Sequence, residues 1–323
     1  MGFRRHSFIS ATAAGSFALA VLAVPALGNA SPSCNLIGDS VLPEPAWHAE
    51  ACAPTAPRPI VETSDWTAWG WAFALDIGFV SDNFTTHDVD NFQGASVIGA
   101  NALPIFGMDF DETATTLYAV DSTAQQLGTI DINTGVFTAI GPTVPLAGHN
   151  LTGLSIDPTT GEAFLSSVDG PVATTAALYT LDLATGTPTL VGTNTTTTLL
   201  IDIAIDCTGT LYGHDIATDS LYTIDRATGV PTLIGATGVA ANFAQGMDFD
   251  NDSGVLYVYA YEGSGTNTYG TANLMTGLIT PLAVDDPLGE FEGATQTQCT
   301  PTAAFFEDGF ESGDVSAWSA SAP

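Results

Sequence analysis

The sequence contains no lysine. Its cations are four arginines, Arg4, Arg5, Arg58 and Arg226, set against 35 aspartates and glutamates for a formal net charge of −31. Nucleic acids and anionic membrane surfaces are bound by neutralising phosphates with Lys or Arg, so both are excluded as partners. Schiff-base and lysine-activated mechanisms fall away with the missing amine. The five histidines form no HxH or HExxH pair, which removes the usual zinc signatures, and no GxSxG elbow marks a serine nucleophile. Outside the first thirty residues no segment approaches the roughly 18 apolar residues of a membrane span, and no window carries an amphipathic helical period.

Residues 1–30 read as a secretory signal. Arg4 and Arg5 supply its positive region, residues 17–24 its apolar centre, and Gly28-Asn29-Ala30 the small residues for cleavage before Ser31. Removal takes away two of the four basic residues and no acidic one, so the mature charge is 2 − 35 = −33. The product is expected outside the cytoplasm: extracellular, at the cell surface or in the periplasm, with no membrane insertion once the signal is gone. Such strong acidity favours solubility and a monomer. The four cysteines, Cys34, Cys52, Cys207 and Cys299, are an even set in an exported chain and favour disulfides over metal ligation. The expected pairing is Cys34–Cys52, closing a proline-rich leader over 31–69, and Cys207–Cys299, since the latter two come just after the first strand of two different repeat units.

Those units organise the rest. GMDFD at Gly107, GLSID at Gly153, DIAID at Asp202 and GMDFD at Gly246 each begin a unit of about 46 residues. Each continues through an LY dipeptide, a TG turn and a strand such as PTLIG. Alternating apolar and small polar residues, rich in Val, Ile, Tyr and Thr, give about four short strands per unit, as a β-propeller blade requires. Residues 70–99 form a fifth unit without an opening strand: FTTHD aligns with LYTID, and ASVIG with PTLIG. The missing strand is due near Gly293-Ala-Thr-Gln-Thr-Gln298, 47 residues after Gly246. One blade built from both chain ends would close the ring and remove its exposed edges. The expected fold is all-β, a five-bladed propeller over 70–299, with a tail over 300–323.

The units DPTTGEAFLSSVDG, LYTIDRATGVPTLIG and GMDFDNDSGVLYVYA resemble the repeats of secreted bacterial propellers of uncharacterised function, whose consensus is LYxIDxxTGxxTx[IV]G. The resemblance implies the fold and little about activity, because propellers host hydrolases, lyases, lectins and scaffolds. The stretch from Phe306 to Trp318 is similar to a short FxDGFESGxxSxW tail at the ends of many secreted proteins of Gram-negative bacteria, which implies either a sorting or processing segment or a relic expected to have no fold of its own.

The most regular polar feature is a column of aspartates closing the first strand of each unit: Asp111, Asp157, Asp206 and Asp250, with Thr297 in the fifth place. Each starts a segment such as DPTTG or DNDSG, where the carboxylate caps backbone amides two residues on. The functional alternative is a cation: carboxylates around a channel would suit Ca²⁺, which takes about six to eight oxygen ligands. A second column two residues earlier, Asp109, Ser155, Ala204, Asp248 and Thr295, shares a strand face with the first. Asp248, Asp250 and Asp252 resemble the start of a calcium loop, but Ser253 and Tyr259 stand where its Gly and Glu belong. His87 replaces an aliphatic column residue and is expected to hydrogen-bond at a blade interface. The LY tyrosines (Tyr118, Tyr212, Tyr257) are expected to pack between blades, and Trp66, Trp69 and Trp71 to seal the leader. The function these features favour is a non-catalytic binding or scaffold propeller for an extracellular glycan or protein, with no cofactor firmly implied. The competing reading is a polysaccharide hydrolase or lyase acting through Asp109 or Asp248 in the funnel.

Overall fold

The computed structural model describes residues 71–76, 82–170, 173–242, 246–263, 266–284 and 290–299. The signal, the leader with Cys34 and Cys52, Trp66, Trp69, the side chain of Trp71, and the tail lie outside the described residues.

Twenty strands form five four-stranded antiparallel sheets. The first blade holds β4 (Ile105–Phe110), β5 (Leu117–Asp121), β6 (Gln126–Ile130) and β7 (Phe137–Pro142). The second holds β8 (His149–Ile156), β9 (Ala163–Asp169), β10 (Ala176–Leu181) and β11 (Pro188–Asn194). The third holds β12 (Leu200–Ile205), β13 (Leu211–Asp215), β14 (Ser220–Ile224) and β15 (Pro231–Ala236). The fourth holds β16 (Met247–Asp250), β17 (Val255–Gly263), β18 (Thr266–Ala272) and β19 (Ile279–Val284). The fifth is composite: β1 (Trp71–Asp76), β2 (Asn83–Asp88) and β3 (Asn91–Ala100) take β20 (Phe291–Gln296) as their inner strand. Register fixes this joint, with Ala72 opposite Thr295 and Ala74 opposite Gly293. The inner strands contact one another in the cycle β4, β8, β12, β16, β20 and back to β4. The fold is the five-bladed propeller the repeat pattern implies.

No single core fills the molecule. Each junction between adjacent blades buries its own apolar cluster, from the Phe73–Phe84–Phe110 group beside β20 to the Phe249–Met247–Leu256 group of the third and fourth blades. The period-2 alternation in strands such as LYTID aims one face at each neighbouring blade. The outermost strands have only one sheet neighbour and stay half exposed, which is why Thr189, Leu190, Thr232 and Leu233 face solvent.

The repeated TG and IG elements have a common steric cause. In each TG turn the glycine adopts positive φ: +73° at Gly135, +77° at Gly186, +72° at Gly229 and +80° at Gly277. Its amide donates to the carbonyl of Asp131, Asp182, Asp225 or Asn273 at 2.7–2.8 Å. The carbonyl just before that glycine presses on the IG glycine of the preceding blade. A Cβ on Gly99, Gly141, Gly192 or Gly235 would lie 2.1–2.2 Å from the oxygen of Thr134, Thr185, Thr228 or Thr276. The fifth junction departs from this rule: Ala283 replaces the glycine, and the facing β2–β3 connection is the short Val89-Asp90 turn with no TG.

Candidate functional site

The aspartate column that closes the inner strands caps turns. Asp111 Oδ1 accepts from the amides of Thr115 and Thr116 at 2.8 and 3.2 Å, Asp157 Oδ1 from those of Thr159 and Thr160 at 2.8 and 3.1 Å. Asp206 Oδ1 accepts from Thr208 and Thr210 at 2.9 Å, and Asp250 accepts from the Asp252 amide and the Ser253 hydroxyl. Burial pushes the Asp111 and Asp157 carboxyls up, but these donors outweigh it and hold both below the ordinary carboxylate range. Asp157 also takes Arg226 Nη1 at 2.7 Å, while Nη2 reaches Glu162 at 2.7 Å and the guanidinium lies over Phe164. The one arginine among the described residues is thereby fixed between the second and third blades.

The second column does something different. Asp109 and Asp248 are buried, and each reaches across to the next blade's inner strand. Asp109 Oδ2 accepts from the Ile156 amide at 2.7 Å and the Ser155 hydroxyl at 3.2 Å; Asp248 Oδ2 accepts from the Thr295 amide at 2.6 Å. Two carboxyls outside the expected set complete the pattern. Asp202 Oδ2 accepts from the Met247 amide at 2.6 Å, and Glu292 Oε1 from the Met108 amide at 3.3 Å. Four of the five inner-strand junctions therefore carry a carboxyl-to-amide bridge: β4 to β8, β12 to β16, β16 to β20, and β20 to β4. Each aspartate also accepts from the amide of the next residue in the chain, at 2.6–2.8 Å, so both of its oxygens are engaged.

These four groups sense one another. Burial, above all, pushes Asp109 up to about 7 and Glu292 up to about 8. Asp202 is raised well above the carboxylate range by burial and then by the charge of Glu292; Asp248 by burial and then by Asp109. Asp111, Asp157 and Asp206 each stand in a turn of their own and Asp250 and Asp252 share a fourth, and among the described residues no group of three or more His, Cys, Asp or Glu side chains is placed to hold a metal ion.

His87 sits where expected, at the junction of the fourth and composite blades. Its Nδ1 lies 2.8 Å from the Asp88 carbonyl, which must accept, so Nε2 accepts from the Tyr259 hydroxyl at 2.7 Å. Burial lowers its pKa to about 4, keeping the ring neutral. Tyr257 and Tyr269 add bonds to Asp90 and to the Val89 carbonyl, at 2.8 and 2.6 Å. Tyr212 and Tyr257 are buried and Tyr118 half-buried, in line with interblade packing. Cys207 and Cys299 form a disulfide with Cα atoms 5.6 Å apart, tying the end of the inner strand of the third blade to the residues after β20.

Residues 82–204 match the family described as Domain of unknown function (DUF4394). The match takes in β2 and β3 of the composite blade, the first and second blades and the start of the third. No curated protein matches. Among solved structures, a chain of a nidogen/laminin complex aligns at TM-score 0.45 and 12% identity, over 71% of this chain and 100% of that one. TolB from Acinetobacter baumannii aligns at TM-score 0.44 and 13% identity over 71% of this chain and 67% of its own. A calcium-binding protein, regucalcin from Agrobacterium tumefaciens, aligns at 0.40 and 17% over 68% and 74%. The blade count and closure rest on the strand pairing, and no function is carried over from these structures.

Asp202 and Glu292 escape a reading of the repeats for different reasons. Asp202 occupies the position filled by Gly107, Gly153, Gly246 and Gly293 in the other units, a departure visible in the sequence. Glu292 precedes its unit by one residue and breaks no pattern.

Proposed function

We propose that this chain is a non-catalytic binding or scaffold propeller acting outside the cytoplasm. The observation that carries the reading is the engagement of its carboxyls: both columns, together with Asp202 and Glu292, are occupied by backbone amides of turns or of adjacent blades. A general acid and base pair needs carboxyls free to face a substrate. Export is supported by the residue 1–30 pattern and is compatible with the Cys207–Cys299 bridge. The tail over 306–318, similar to tails of other secreted proteins, is read as a sorting or processing segment.

The partner is read as a protein. None of the exposed large apolar side chains among the described residues is aromatic: Met275 lies in a TG turn, Val136, Val230 and Leu278 come just after three of those turns, and Leu190 and Leu233 stand on outer strands. Sugars are held on exposed aromatic faces, and none of these side chains provides one. Calcium has no role in this reading, because Asp109, Asp111, Asp157, Asp206, Asp248 and Asp250 serve as caps and bridges. The hydrolase or lyase alternative retains one supporting observation, the raised carboxyls Asp109 and Glu292. A reducing-end assay on a panel of polysaccharides separates the two: the scaffold reading expects no release, and release that Asp109→Asn abolishes would overturn it.

A further inference from the structure

Four buried carboxyls surround the inner ring, and no cation of the described residues is available to them. Arg226 is engaged at the rim with Asp157 and Glu162, His149 lies at the start of β8 against the Ser167 hydroxyl and beside Asp169, and burial keeps His87 and His214 neutral, each with a pKa near 4. An uncompensated buried charge is strongly disfavoured, and neighbouring carboxylates disfavour each other further. The quartet must therefore take up protons.

The hydrogen bonds show where one proton fits. Asp109, Asp202 and Asp248 accept amide donors on both oxygens, which leaves poor room for an O–H. Glu292 accepts from the Met108 amide on Oε1, and the Gly107 amide also faces its carboxyl; its Oε2 is buried with no hydrogen bond of good geometry, and the residue is 1% exposed. The titratable groups that act on it are Asp202 from β12, Asp248 from β16, Tyr259 from β17 and Glu290 on its own segment. All are acidic or neutral.

We propose that Glu292 is a protonated latch joining β20 to β4, so that the ring is locked in acid to neutral solution and loosens at this junction when alkali removes its proton. The position suits a latch. β20 is the strand contributed by the far end of the chain; the Cys207–Cys299 bridge anchors the residues on its C-terminal side, while Glu292 lies at its beginning. A carboxyl whose folded pKa lies above its unfolded value stabilises fully below the unfolded pKa, and that contribution is lost as pH rises through the folded one. For Glu292 the window runs from 4.5 to about 8, over which one proton changes the folding equilibrium by about tenfold per pH unit.

The test is the pH dependence of unfolding between pH 5 and pH 9, with disulfides intact, for the wild type and Glu292→Gln. Glutamine keeps the oxygen that accepts from Met108 and cannot ionise. The wild type should lose stability steadily across the window, and the variant should be the more stable of the two at pH 9, with a shallower slope. Equal slopes, or a wild type that is flat from pH 5 to pH 9, would overturn the proposal. An infrared spectrum of the wild type at pH 6 guards against a variant that fails to fold: a protonated-carboxyl band that moves on ¹³C-glutamate labelling is expected, and its absence contradicts the latch. A melting temperature that falls in EDTA and recovers with Ca²⁺ would show that a cation, and not a proton, neutralises the quartet, and would also overturn it.

Discussion

Four blade junctions of this ring obey one rule and the fifth obeys another. From the composite blade through to the fourth, a TG turn of one blade presses its carbonyl onto an IG glycine of the blade before. Between the fourth and composite blades there is no TG turn, Ala283 stands in for glycine, and the contact is a cluster of Tyr257, Tyr259, Tyr269, Phe92, Phe291 and His87. The regular junctions use close backbone approach, which is repeated because the first, second and third blades each contain both halves of the contact, with the composite blade supplying only the glycine and the fourth only the TG turn. The seam joins units of different origin, chain start to chain end, and uses large side chains whose hydroxyls reach across it. A repeat can only encode an interface that its own neighbours share, so the closing interface has to be written separately.

That contrast can be broken from both sides. Removing the Cys207–Cys299 bridge, which closes a loop of 92 residues, should cost the most, about 3–4 kcal/mol. Denaturant unfolding of the Cys207→Ser/Cys299→Ser variant measures this. Amides of β1 and β20 should lose exchange protection before those of β9 and β14. Next comes the glycine rule. Gly141→Ala sets a Cβ 2.2 Å from the Thr185 carbonyl oxygen and should destabilise by about 2–3 kcal/mol. Ala283→Gly at the seam should cost only about 0.5–1 kcal/mol, from backbone entropy and a lost methyl. Equal losses at the two positions would erase the distinction between the junctions. The smallest effect belongs to Tyr269→Phe, which removes a 2.6 Å bond to the Val89 carbonyl; about 1 kcal/mol is expected, read from the same unfolding curves.

Much of this architecture was legible in the residues. The spacing of Gly107, Gly153, Asp202 and Gly246 located the inner strands, and the absence of an opening strand before FTTHD pointed to the partner near Gly293. The turn role of Asp111 and Asp157 could be read from the Thr and Gly residues after them. The bridging role of Asp109 and Asp248 was not legible, because it depends on which amide of the neighbouring blade lies opposite, and that offset is set by three-dimensional stagger between sheets. The same stagger lets Asp202 act from the glycine position and Glu292 from just outside its unit. Periodicity gives the face of a strand on which a side chain stands; it is silent on what that face meets.

The central claim is that the buried carboxyls of the inner ring hold blades together. Native-state hydrogen exchange at the Thr295 amide tests it most directly, comparing wild type with Asp248→Ala and Asp248→Asn. The amide donates to Asp248 Oδ2 at 2.6 Å across the junction of the fourth and composite blades. The alanine variant should lose at least about tenfold in protection there, corresponding to roughly 1.4 kcal/mol or more, while asparagine, which keeps an acceptor oxygen, should retain most of it. Unchanged protection and melting temperature in Asp248→Ala would contradict the claim and return that carboxylate to the set available for a ligand.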